Sequence, residues 1–169
     1  MTTKEEIAMV LTKYLAKTCI LPHMLVTGKS DAIKELTHLL FDKKKMKGLS
    51  SALDQVVARE VVEGTGIGKG IAIPHARISG IKALACALAR IPGGIDFMSV
   101  DHKPVNLVFL ILYPPAQQTT YLNFVATVVK MFRDPEMKAA VMAAQTADEM
   151  YDILEHASER LAEIGRAHV

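Results

Sequence analysis

Residues 59–77 read REVVEGTGIGKGIAIPHAR, from Arg59 to Arg77, and this stretch decides how the rest of the chain is read. Gly64, Gly66, Gly68 and Gly70 alternate, which strips side chains from one segment and opens backbone conformations that other residues avoid. Inward-pointing amides in such a segment form an anion nest; a plain structural turn fits the same residues. The apolar run Ile71-Ala72-Ile73 predicts a short strand ending in Pro74, whose ring fixes φ just before His75. A histidine at a strand end is held by the sheet yet can face solvent, where a nucleophile belongs. The alternative is a buried, hydrogen-bonded histidine.

Working outward, the chain changes texture on both sides of this stretch. Thr3 with Glu6 reads as a capping box, followed by Ile7, Val10, Leu11, Tyr14 and Leu15 at helical spacing, which predicts an N-terminal helix over 4–17. Ser30 is positioned to cap a second helix carrying Ile33, Leu36, Leu40 and Phe41, closed by Gly48. Ser51 and Asp54 open a third, reaching about Val61. Beyond His75, Ala83 to Ala89 and Val105 to Leu112 are short apolar runs bounded by Gly or Pro, as buried strands are. Pro92-Gly93-Gly94 and Asp101 to Pro104 read as the turns around them. After Pro114-Pro115 the pattern is helical again. Leu122, Val125, Val129 and Phe132 share a face, Asp134-Pro135 starts a further helix, and Thr146 with Glu149 starts the last. The tail 165–169 is expected to fray. The expected fold is α/β: a single-domain sandwich over 1–169, core about 20–157, with a mixed β-sheet of about five strands flanked by helices.

Composition narrows the function classes. The chain has 169 residues, enough for one well-cored domain, with formal net charge +2 and 22% charged residues of mixed sign. The basic run Lys43-Lys44-Lys45 lacks interleaved aromatics, so no nucleic-acid role is expected. The greasy stretch Val105 to Tyr113 falls short of the ~20 residues of a membrane helix, and no membrane insertion is expected. Acidic residues near Met1 and two unpaired-looking cysteines, Cys19 and Cys86, suggest a reduced, cytoplasmic setting. His23, His38, His102, His156 and His168 show no ligand spacing, so no metal and no cofactor is expected.

The chemistry of residues 59–77 then points to phosphoryl groups. Neutral imidazole, with an ordinary pKa of ~6.5, is a competent nucleophile at neutral pH, and its N–P bond is readily passed on. Arg59 and Arg77 are candidate cations for the incoming charge, because a guanidinium fork grips two phosphoryl oxygens. Thr65, Gly66 and Gly68 are further candidate phosphate contacts. A Walker A loop is excluded, since Glu63 and Gly70 stand where Gly and Ser/Thr are needed. The dinucleotide fingerprint fails at Lys69 and at Ile71.

Glu60, Ile67, Gly68, Ile71, Ala72, Ile73, Pro74, His75 and Ala76 fill every slot of a signature, and the chain thereby resembles the type-2 enzyme IIA domains of the bacterial phosphotransferase system. That is the fructose/mannitol family, with its stand-alone nitrogen-regulatory IIA proteins. The resemblance extends from about Ile20 to about Ala157. It implies a phosphocarrier whose histidine, here His75, accepts phosphate from the carrier HPr. The group is passed to a IIB domain or serves as a regulatory mark, with Arg59 steadying it and no metal or cofactor. One residue departs from the family pattern. Where many members carry a second histidine before leucine, this chain has Tyr121-Leu122. A phenol donates a hydrogen bond but carries no positive charge near pH 7, so Tyr121 is assigned as a supporting donor. A binding module acting by contact alone is the second reading. The resemblance does not specify the oligomeric state.

Overall fold

The computed structural model describes residues 8–44, 48–62 and 65–167, without the side chains of residues 44, 59–62 and 167. Its centre is β6 (Val105–Tyr113), buried along its length except at Asn106. Such a strand needs cover on both faces and partners on both edges. One edge is taken by β5 (Ala85–Ile95), antiparallel, with β1 (Ile20–Leu21) parallel beyond it. The other edge is taken in parallel by β3 (Ile71–Ala72) and β4 (His75–Arg77), and β2 (Gly66–Gly68) closes that side as a hairpin with β3. Among the described residues the sheet therefore has six strands, one more than the approximate count from sequence, in the order β1-β5-β6-β3-β2 with β4 also on β6.

The helices α1 (Lys29–Lys44) and α2 (Leu49–Val62) pack on each other and against β5, β6 and β4. A second group packs on β6 and β1: α3 (Gln118–Met131), α4 (Pro135–Ala143) and α5 (Ala147–Ala167). Two expected helix starts appear as the sequence implies. The Asp134 carboxylate accepts the Glu136 N–H at 3.0 Å with Pro135 at the first helical position. The Thr146 hydroxyl accepts from the Glu149 N–H at 3.1 Å.

Four expectations need correction. The N-terminal helix over 4–17 does not form within the described residues: there is one 3₁₀ turn at Leu11–Lys13 and another at Lys17–Cys19, while Thr3 and Glu6 lie outside them. The reason is competition for the backbone donors. Met9 N–H donates to Thr127 Oγ1 and Leu11 N–H to Ser158 Oγ, on α3 and α5, so tertiary acceptors replace the helical carbonyls. Second, Pro92-Gly93-Gly94 does not end its strand. Arg90 pairs with Leu107 and Ile95 with Val105, so β5 carries a wide bulge between them. Asn106 Nδ2 closes it by donating to Ile91 O at 3.1 Å, and Gly94 takes φ +72, where a Cβ would also strike Pro104. Third, α5 continues through Gly165 to Ala167, so the tail is helical to that point. Fourth, of the two readings of the glycine run the plain turn replaces the nest: Gly66, Gly68 and Gly70 belong to the β2–β3 hairpin, and Gly64 lies outside the described residues.

Both cysteines are buried and form no disulfide. Burial, followed by the neighbouring Cys19, pushes the Cys86 thiol well above its ordinary value. The unfolded chain therefore loses that proton first, and stability falls as pH climbs past the ordinary thiol value of ~8.5. At pH 8.5 the native protein is expected to resist iodoacetamide and to gain two adducts only once unfolded in guanidinium. Rapid native labelling of Cys86 would contradict this burial. Among the described residues, no helix is long and apolar enough to cross a membrane.

Candidate functional site

Pro74 organises the site locally. Ile71 pairs with Leu107 and His75 with Ile111, the same register, so β3 and β4 are one line of chain along β6. Pro74 has no N–H to give to the ladder, which interrupts the strand there. Its carbonyl still accepts Ile111 N–H at 3.0 Å, and Ile73 N–H turns to Thr65 O at 2.9 Å. His75 thus begins a strand after the break, where the sequence had it ending one. Along β4, Ala76 is buried while His75 and Arg77 alternate with it, so the imidazole and the guanidinium share the outward face.

These residues open on a shallow cleft of about 750 Å³ beyond the C-terminal ends of β4 and β6, which run parallel. The carboxyl ends of parallel strands are where open α/β sheets place ligand sites. The walls come from β4 (His75, Arg77), the end of β6 (Tyr113), α2 (Gln55, Ala58) and α3 (Gln118, Tyr121, Leu122). His75 Nδ1 lies 2.8 Å from Ile73 O. A carbonyl only accepts, so Nδ1 carries the ring proton and the lone pair of the neutral ring is on Nε2. Tyr121 stands beside the ring, centroids 5.0 Å apart and planes tilted by 40°. Tyr113 stacks on Tyr121 at 4.3 Å with planes 7° apart, a contact worth about 0.5–1.5 kcal/mol beyond burial. The ring of Tyr121 is therefore held by its stack on Tyr113 and lies close to the imidazole.

The structure thus brings together His75, Arg77 and Tyr121. Arg59 is on α2 directly after the cleft-lining Ala58, and its side chain lies outside the described residues. Thr65 is buried next to Ile73, outside the cleft wall. Gly66 and Gly68 are part of β2, and the hairpin tip at Lys69-Gly70 meets Asn106 and Leu107, the opposite end of β6 from His75. Tyr113 was missed from the sequence. Its signal was available, as the aromatic that closes the β6 run immediately before Pro114. Gln55, Ala58 and Gln118 carried no such signal. Among the described residues, no group of three or more His, Cys, Asp or Glu side chains is placed to hold a metal ion.

Fold and cleft together define a small α/β protein that presents one oriented imidazole, with a guanidinium and a phenol, at the carboxyl edge of a mixed sheet. Residues 13–157 match the model of the family described as phosphoenolpyruvate-dependent sugar phosphotransferase system, EIIA 2, and the chain belongs to that family. It is 30% identical over 148 residues to the nitrogen regulatory protein of Bradyrhizobium diazoefficiens, covering 86% of this chain and 95% of that one. It is 32% identical over 126 residues to the fructose-specific EIIA component of Haloferax volcanii, covering 75% and 82%. Among solved structures, it is similar to the nitrogen regulatory protein IIA-Ntr from Neisseria meningitidis, with a TM-score of 0.79 and 28% identity over 85% of this chain and 98% of that one.

Proposed function

We propose that this protein is a phosphohistidine carrier in which His75 Nε2 takes a phosphoryl group from an HPr-like donor and yields it to a IIB domain or holds it as a regulatory mark. The observation that carries the reading is the Nδ1 contact to Ile73 O, because it leaves Nε2 as the nucleophile in an open cleft. In the transfer, the Nε2 lone pair forms the new N–P bond. The donor's N–P bond breaks and its electron pair returns to the donor imidazole. The ring proton stays on Nδ1, and the Ile73 carbonyl stabilises the positive charge that develops there. Arg77, on the same face of β4, and Arg59 are assigned to the phosphoryl oxygens. The exposed Leu122 in the cleft wall, with the exposed Val57 beside Ala58 on α2, supplies an apolar rim for a protein donor. The likeness to nitrogen regulatory proteins supports a regulatory use of the mark.

The test uses enzyme I, HPr and phosphoenolpyruvate. One acid-labile phosphoryl adduct is expected by intact mass. No adduct would sink the carrier reading and leave the contact-only module, which the replacement of the second histidine by Tyr121 favours. Tyr121→Phe keeps the stack on Tyr113 but removes the donor. A lost neutral hydrogen bond in the transition state corresponds to a slowing of roughly 2–10-fold. That is the expected fall in the rate of phosphorylation, and an unchanged rate in Tyr121→Phe would remove the phenol from the mechanism.

A further inference from the structure

A second cleft of about 570 Å³ lies at the other end of β6, between the β2–β3 hairpin tip, the β5 bulge and the start of α4. Among the described residues, four basic ones line it: Lys69, Lys103, Arg133 and Lys138. Among the described residues none of the four makes an ion pair. The one carboxylate that the described residues place in the wall, Asp101, is committed to backbone, with Oδ2 accepting Lys69 N–H at 3.0 Å and Oδ1 accepting Lys103 N–H at 3.1 Å. The cleft is therefore cationic on balance.

Its cations are also positioned. Lys138 Nζ donates to Asn106 Oδ1 at 3.2 Å, while Asn106 Nδ2 is anchored on the β5 bulge. The lysine crosses Gly70 so closely that a Cβ there would collide with Nζ. Gly70 has φ +75, and Lys69 beside it has φ +58, a left-handed conformation that a lysine adopts at a cost. Asp101 holds that conformation through the Lys69 amide. Pro104, Pro135 and Phe132 supply apolar lining. A concave, largely apolar pocket with a few convergent charges is the form taken by small-molecule sites.

We infer that this cleft binds a small organic phosphate, with its anionic groups on Lys69, Arg133 and Lys138 and its apolar body on Pro104 and Pro135. The site is separate from His75, since Gly70 O accepts Asn106 N–H and Leu107 N–H at one end of β6 whereas His75 pairs with Ile111 toward the other. The inference does not depend on phosphoryl transfer by His75.

The test is titration of the ¹⁵N-labelled protein with ADP and, separately, with pyrophosphate. ADP is expected to shift the amides of Lys69, Gly70, Gly93 and Asp101 with saturation below about 10 mM. Affinity is expected to fall about tenfold or more in Lys138→Gln/Arg133→Gln, with the spectrum itself reporting that the variant is folded. The charge-matched control Lys43→Gln/Lys82→Gln, on exposed lysines elsewhere, is expected to leave affinity unchanged. Shifts confined to the neighbourhood of His75, no shift by about 10 mM, or shifts indifferent to the Lys138/Arg133 pair would overturn the site. Pyrophosphate binding well above ADP would overturn the apolar half of the assignment.

Discussion

Replacing His75 by Gln is expected to abolish phosphoryl uptake, lowering the rate of phosphorylation from HPr by at least about 10³-fold while leaving the fold intact. Glutamine fills a similar volume, with its amide nitrogen standing near the position of Nε2, and the Pro74 carbonyl still accepts Ile111 N–H, so β4 keeps its place on β6. It has no nucleophilic lone pair, so the chemistry stops. His75→Ala should be equally inactive. Intact mass after incubation with enzyme I, HPr and phosphoenolpyruvate, together with a thermal melt of each variant, separates lost chemistry from lost structure. Residual phosphorylation of His75→Gln at a comparable rate would mean that another side chain is the acceptor.

The second large effect concerns stability and lies far from the cleft in role. Arg90 on β5 is buried, and its guanidinium donates from Nε to Pro22 O at 2.8 Å and from Nη1 to Val141 O at 3.0 Å, Met142 O at 3.1 Å and Ala144 O. The last turn of a helix leaves carbonyls without partners. Here Arg90 supplies donors to the end of α4 and to the residue after β1, joining a central strand, an edge strand and a helix. Arg90→Met keeps an apolar stem of similar reach but leaves these carbonyls facing a buried space. At about 1–3 kcal/mol for an unsatisfied buried group, the expected loss is about 3–5 kcal/mol, seen in denaturant unfolding as a lower midpoint. Arg90→Lys, with three donors in a less suitable arrangement, is expected to lose less. A loss below about 1 kcal/mol for Arg90→Met would show that the carbonyls find other donors.

What the sequence disclosed and what it hid follow from the range of the forces involved. β6 was legible because a strand buried on both faces reads as an unbroken apolar run. The caps at Asp134 and Thr146 were legible because short polar side chains act on their own backbone, and Pro74 marked a break in the strand before His75 because it has no N–H to give. The missed features depend on residues distant in sequence. The first described residues have hydrophobic spacing suited to a helix, but hydroxyls from Thr127 and Ser158 take the amides of Met9 and Leu11. Pro92-Gly93-Gly94 carries strong turn chemistry, yet Asn106 spans it and the strand resumes at Ile95. The alternating glycines suggested a nest beside His75. In the fold Gly66, Gly68 and Gly70 belong to a hairpin whose tip serves the opposite end of β6, where Gly70 makes room for Lys138. Arg90 is one charge in an apolar strand, and only the carbonyls gathered from Pro22 and α4 explain it. Within the site, His75, Arg77 and Tyr121 were each visible singly. The sequence held no sign that Tyr113 would stack on Tyr121 and fix it against the imidazole.

The most direct measurement is a long-range ¹H–¹⁵N spectrum of the imidazoles before and after phosphorylation. Before it, His75 should show the tautomer protonated at Nδ1. After it, a single ring should carry phosphorus on Nε2, and that ring should be His75. Phosphorus on Nδ1 of His75, or on any other histidine, would contradict the account.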